Sequence, residues 1–228
     1  SIAFDVMSVS SSSAVSAGIK PTDDFNGAEQ EGAGLYQVTC KKGRRWSTNE
    51  AYLRPARARA NLTVATGAFA SRLEMAADRV TGVTFRQGGS EHTVVAAREV
   101  LLCGGAINSP QLLMLSGIGP AAHLAEVGVT TKVELGGVGS NLQDHPVVPM
   151  LWYTKGTTDL AQLNNVTNFV RWKARGTGPL SSNVGEAGAF FTSRDGLAAP
   201  DIQIHAAPAG FYDNGMHEPN RRMVTAAP

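Results

Sequence analysis

LLCGGAINSPQLLMLSGIGP (Leu101–Pro120), followed by GGVGSNLQDHP (Gly136–Pro146), is the stretch whose reading decides the fold. Glu99 to Cys103 (EVLLC) is a short apolar run that reads as a buried strand, and Gly104-Gly105 ends it. Ser109 is then placed to cap a helix. Pro110 falls in its first turn, where a missing N–H costs nothing. Gln111 to Leu115 carries that helix, and Gly117 is a fitting stop. A strand, two glycines and a capped helix bring backbone N–H groups where a nucleotide can approach closely. The same turn occurs in many α/β folds that hold no ligand, so the geometry alone does not choose between the two.

Working outward, Ser71 to Met75, Val80 to Arg86 and Glu91 to Ala97 read as three short strands. Asp78 and Gln87-Gly88-Gly89 join them, and such short connections predict an antiparallel meander. Asn61 to Thr66 (NLTVAT) has the β-branched alternation of another strand. Thr48 to Ala60 reads as a helix with Ser47 or Thr48 as cap, Glu50 closing a capping box and Pro55 bending it. Ala121 to Val127 reads as a short helix and Thr130 to Leu135 as a short strand. Beyond Pro146, strands are expected at Val147 to Thr154, Ala187 to Thr192 and Asp201 to Ala206, with a helix over Asn165 to Arg175. PTDDFNG (Pro21–Gly27) and the segment from Gly210 onward read as loops. Residues 1 to about 20 read as a helix or a frayed end.

The string GAINSPQLLMLSGIG resembles the second signature of the GMC (glucose-methanol-choline) flavoprotein oxidoreductases, and GVGSNLQDHP resembles the segment that follows it there. PTDDFNG, GRRWSTNEAYLRPARARANLTVATGA (Gly43–Ala68) and GEAGAFFTSRDG (Gly185–Gly196) are similar to members' sequences as well. The resemblance covers about 200 of the 228 residues and lies nearest to choline dehydrogenase-like alcohol dehydrogenases. It implies an α/β (α+β) fold: part of a dinucleotide-binding FAD domain with a β-meander, plus part of a sheet-and-helix substrate domain. The implied division is 1–43 as a cap-region segment, 44–146 as FAD domain and 147–228 as substrate domain. The family's G-x-G-x-x-G fingerprint does not open this chain. Its catalytic His, with a His or Asn partner, is expected beyond Pro228. The chain therefore reads as the middle of a longer enzyme.

The resemblance also implies roles for individual residues. Ala70 matches a position that lends its backbone to the adenine of FAD; otherwise it is an ordinary small strand residue. Gly104, Gly105 and Ala106 are small enough for close cofactor approach, or for tight helix-on-strand packing. Asn141 and His145, with Asp144, belong to a segment expected close to the flavin, and a hydrogen-bonded structural loop explains them equally. His145 is not read as the catalytic base, and no catalytic residue is assigned. Glu186, near Phe190 and Phe191, suits a quaternary ammonium head by charge and cation–π attraction, or serves as a structural carboxylate.

The implied activity is oxidation of a choline-like or other alcohol to an aldehyde or ketone, with FAD as cofactor. A catalytically inactive binding module, or a non-oxidative relative such as a hydroxynitrile lyase or photodecarboxylase, stays open. Hydrophobic residues make up 43% and charged residues 17%, which fits a globular chain. The formal net charge of +1 argues against nucleic acid or an anionic membrane as partner. The basic cluster Lys41, Lys42, Arg44 and Arg45 reads as a solvated loop. Cys40 and Cys103 do not suggest a disulfide framework, and Cys103 reads as a small core residue; a cytoplasmic home is expected. No apolar run reaches membrane-spanning length, and the histidines show no metal-ligand spacing. His205 alternates with Ile202 and Ile204, facing either a substrate cavity or a structural partner.

Overall fold

A computed structural model describes residues 12–155, 159–160, 162–211 and 222–228. The chain divides into two compact units, one formed by 1–58 with 146–228 and the other by 59–145.

The first unit is built on a five-stranded sheet. Its strands are β1 (Gly32–Leu35), β9 (Met150–Tyr153), β10 (Ala187–Phe191), β11 (Ile202–Ala207) and β12 (Met223–Ala227), in the order β1-β10-β11-β12-β9. Each pair is antiparallel. The small residues of GAGL and AGAFF let other side chains lie flat on the sheet. Phe25 packs 5.1 Å from both Tyr36 and Phe190, measured between ring centroids. A Cβ at Gly188 would overlap the Tyr36 hydroxyl, so glycine makes room for the phenol. The core of this unit includes Phe25, Ala33, Ala187, Ala189 and Met223. The same unit carries a small hairpin of β2 (Cys40–Lys41) and β3 (Arg44–Arg45).

The second unit contains the meander β4 (Phe69–Ala76), β5 (Arg79–Gln87) and β6 (Ser90–Val95), antiparallel throughout. Gly88 and Gly89 both have positive φ (58° and 84°), as a two-residue hairpin turn of matching twist requires. Helix α1 (Gly105–Leu115) leads into β7 (Ile118–Gly119), helix α2 (Ala121–Glu126) and β8 (Val133–Glu134), and β7 pairs parallel with β8. Leu73, Thr84, Ser116, Ile118 and Leu124 are buried here. Ser116 ties two elements together: its hydroxyl accepts the Leu73 N–H at 2.8 Å and donates to the Leu112 carbonyl at 2.6 Å.

Several local expectations are corrected. Glu99 to Cys103 forms no strand: no neighbouring strand among the described residues pairs with it. For the same reason Asn61 to Thr66 is not a strand. Cys103 is exposed rather than a core residue. Helix α1 begins at Gly105, four residues before the expected cap. Ser109 instead turns back, and its hydroxyl accepts the Gly104 N–H at 3.0 Å. Pro110 therefore sits inside the helix. It leaves the carbonyl four residues earlier without its usual partner. The region Thr48–Ala60 shortens to a π-helical stretch, Asn49–Leu53, and a helical turn, Arg54–Ala56. No side chain caps it. Glu50 reaches forward to Arg54 at 3.0 Å instead of back to Ser47. Helix α3 (Val166–Arg175) forms as expected, with the Asn165 side chain accepting the Asn168 N–H and Gly176 stopping it at φ 64°. Strands β1 and β12 went unread, since GAGL and MVTAA lack the bulky alternation that marks a strand. Most of the expected loop after Gly210, and residues 1–11, lie outside the described residues.

Candidate functional site

The second unit gathers several of the predicted cofactor residues around two cavities. The first, about 420 Å³, is lined by Ala70 at the start of β4, by Leu101, Cys103 and Gly104 just before α1, and by Ser109 and Leu112 of α1. The segment that leads into α1 along this cavity, 99–103, belongs to no strand. Ala70 lies at a break in register: the pairing of β4 with β5 shifts between Ala70 and Arg72. Such bulges re-aim the local backbone. The Ser71 hydroxyl donates to the Thr84 carbonyl at 3.2 Å and anchors the bulged residue.

The second cavity, about 650 Å³, is lined by Ala106, Ile107, Met114, Gly139 and Asn141. Asn141 has φ 56°, a left-handed conformation that Asn tolerates better than most residues. Gly105 adopts φ 84° and faces open space where a Cβ would project. A side chain there would be strained and would stand in the approach to the helix start.

The structure thus joins Ala70 with Gly104 in one cavity and Ala106 with Asn141 in another. His145 lines neither. It is exposed, with Nε2 3.9 Å from the Asp144 carboxylate, which also accepts the His145 backbone N–H at 3.0 Å. Glu186 belongs to the other unit. Its carbonyl accepts the Tyr36 N–H at 2.8 Å just before β10. Tyr36 in turn donates its hydroxyl to the Ile204 carbonyl and accepts from the Gln203 side chain at 3.0 Å. Burial pushes the Tyr36 phenol up, and the bond from Gln203 opposes that only in part. His205 is exposed and its ring lies 5.4 Å from the Tyr36 ring, so the tyrosine is its structural neighbour.

Sequence reasoning missed the basic hairpin. Arg44 and Arg45 line a cavity of about 890 Å³ in the first unit, together with Trp46, Tyr52, Trp172 and Asn183. The signal was available: KKGRR places a glycine where a two-residue hairpin turn needs positive φ, with a Trp directly after it. Among the described residues no group of three or more His, Cys, Asp or Glu is arranged to hold a metal. No described helix is long and apolar enough to cross a membrane.

Comparison with known proteins adds the family. The family model described as GMC oxidoreductase matches residues 4–147. A GMC-type oxidoreductase of Mycobacterium bovis is 43% identical over 203 residues, covering 89% of this chain and 38% of the relative. The oxygen-dependent choline dehydrogenase of Staphylococcus xylosus is 40% identical over 209 residues, covering 90% and 37%. The chain therefore spans less than two fifths of the length of these relatives. Pyridoxine 4-oxidase from Mesorbium loti superposes with a TM-score of 0.78 at 24% identity, covering 95% of this chain and 40% of that one. A variant of Aspergillus oryzae formate oxidase gives 0.81 at 23%, covering 93% and 42%. At those identities the two solved structures speak for the fold, which is the mixed α/β arrangement with antiparallel sheets described above. The meander, the Gly104-Gly105 helix start and the family match converge on one assignment: this chain belongs to the GMC oxidoreductase family.

Proposed function

We propose that this chain forms part of an FAD-dependent enzyme that oxidises an alcohol, choline-like or another primary or secondary alcohol, to an aldehyde or ketone. The observation that carries the reading is the open backbone from Leu101 to Gly105 beside Ala70. Leu101 to Gly104 and Ala70 line one cavity, and Gly105, next in the chain, opens an eleven-residue helix. The residues present fit a dinucleotide. Gly105 presents no side chain at its approach, and the N-terminal turn of α1 offers backbone N–H groups that favour a phosphate or other electron-rich atom.

In this reading Ala70 and Gly104 to Ala106 hold the cofactor through backbone contacts, Asn141 and His145 stand in the loop beside it, and Glu186 lines the substrate side. Bound FAD would supply the hydride acceptor, while the protein supplies position and electrostatics. Glu186 contributes a carboxylate suited to a cationic alcohol, and the choline dehydrogenase of S. xylosus at 40% identity supports a substrate of that class. No residue of this chain is assigned the role of base.

The test is a visible absorption spectrum of the purified chain after incubation with FAD and desalting. A retained flavin band that is lost in Gly105→Val is the expected result, followed by bleaching on addition of alcohol under anaerobic conditions. A flat spectrum from a protein with native circular dichroism would overturn the claim that these residues suffice to hold FAD. A retained band with no bleaching by choline or simple alcohols would instead favour a binding or non-oxidative role.

A further inference from the structure

The 890 Å³ cavity of the first unit has no part in the flavin reading, and its chemistry is of another kind. We infer that it binds a small aromatic carboxylate, gripped by Arg44 and laid against the neighbouring tryptophans.

The site is tied together by contacts within its own unit. The β2–β3 hairpin turns through Lys42 and Gly43, both at positive φ (53° and 66°). The tip is pinned on the end of α3: the Gly43 carbonyl accepts the Trp172 indole N–H at 2.7 Å. A Cβ on Gly43 would overlap the Gly176 carbonyl, so the two glycines fit only each other. This contact sets the Arg44 guanidinium over the Trp172 ring, 5.1 Å from its centroid. On the same hairpin the Lys41 ammonium lies 4.6 Å over the Trp46 ring.

A guanidinium held over an aromatic face by its charge still has N–H donors to offer, and such donors match a carboxylate in a two-pronged grip. Both charged residues that line the cavity, Arg44 and Arg45, are basic. The nearest acid in the chain direction, Glu50, is engaged elsewhere, with Arg54 at 3.0 Å and the Asn49 amide at 3.1 Å. The walls of the cavity therefore include arginine and no carboxylate residue that would compete for it. Trp46, Tyr52 and Trp172 supply faces for a planar body. A bare inorganic anion would leave most of that aromatic surface unused.

Trp46 and Trp172 make the test direct, because a ligand there changes tryptophan emission. The intact chain is titrated with benzoate, with neutral benzyl alcohol and with inorganic phosphate. A saturable change with benzoate only is expected. Arg44→Gln should weaken it about tenfold, the loss of one charge-assisted pair. Arg44→Lys should weaken it too, because an ammonium keeps the charge but not the fork. Arg45→Gln serves as a second variant should Arg44→Gln alter the circular dichroism. No saturable change, or a benzoate affinity in both glutamine variants unchanged from that of the parent chain, overturns the site. An equal response to benzyl alcohol overturns the role of charge, and an equal response to phosphate overturns the aromatic ligand.

Discussion

Thr84 shows how one side chain fixes the ionisation of another. It is buried in the middle of β5, and its hydroxyl contacts both the Glu74 carboxylate and the Thr93 hydroxyl. That hydroxyl first, then the Arg72 side chain, holds the Glu74 carboxyl below its usual range. An unfolded Glu titrates at about 4.3, so this contribution is fully present above that pH. It is lost as pH falls through the lower folded value. Thr84→Val keeps the shape and removes the donor, so Glu74 returns toward its unfolded value. The variant should be less stable than the parent at pH 6 and should lose less on acidification from pH 5 to 3. Urea midpoints at several pH values check this; parallel curves for the two proteins would rule out the Thr84–Glu74 bond as the cause.

At the scale of elements, the glycines that end helices and turns separate two costs. Gly176 and Gly196 both have positive φ (64° and 84°). A Cβ on Gly196 meets open space, whereas one on Gly176 would overlap the Lys42 carbonyl. Gly196→Ala should therefore cost only the left-handed strain, about 1–2 kcal/mol. Gly176→Ala should cost more, because the hairpin carrying Arg44 must also move. Equal urea denaturation midpoints for the two variants would refute that difference. Such close approaches are what the sequence conceals. The meander was legible because Gly88-Gly89 punctuates alternating residues, and α3 because Asn165 and Gly176 bracket a clear apolar spacing. Helix α1 was legible in existence but not in start. Ser109 has the identity of a cap, yet here it accepts a backbone N–H from outside the helix's first turn. Strands at 61–66 and 99–103 failed for a different reason: their sequences have strand character, but a strand also needs a neighbour, and that is a tertiary property. The candidate site followed the same pattern. Ala70 and Gly104 were found through the likeness to a family and meet in one cavity, while Arg44 was passed over because a charge run gives no sign of the tryptophan it stacks on.

At the scale of the whole molecule, the exposed apolar surface is the dominant fact. Leu101 is 76% exposed, Val95 79%, Ile107 70% and Phe69 66%. All four lie in the second unit, and β6 is an edge strand of the meander with every residue exposed. Leu101 belongs to the segment 99–103, which has no strand partner among the described residues. An apolar edge with unpaired N–H and C=O groups is a template for another strand, and at high concentration the nearest strand is on a second copy. The chain of 228 residues should therefore self-associate, with light scattering giving a mass that rises with concentration. Leu101→Lys combined with Val95→Lys places charge on both exposed segments and should shift the equilibrium toward monomer, since strand edges guarded by lysine pair poorly. The substitutions remove little buried surface, so the far-ultraviolet circular dichroism should stay unchanged. A sharp monomer peak with one cooperative melting transition in the parent chain would sink the prediction. It would mean that this surface is not open to pairing with a second copy.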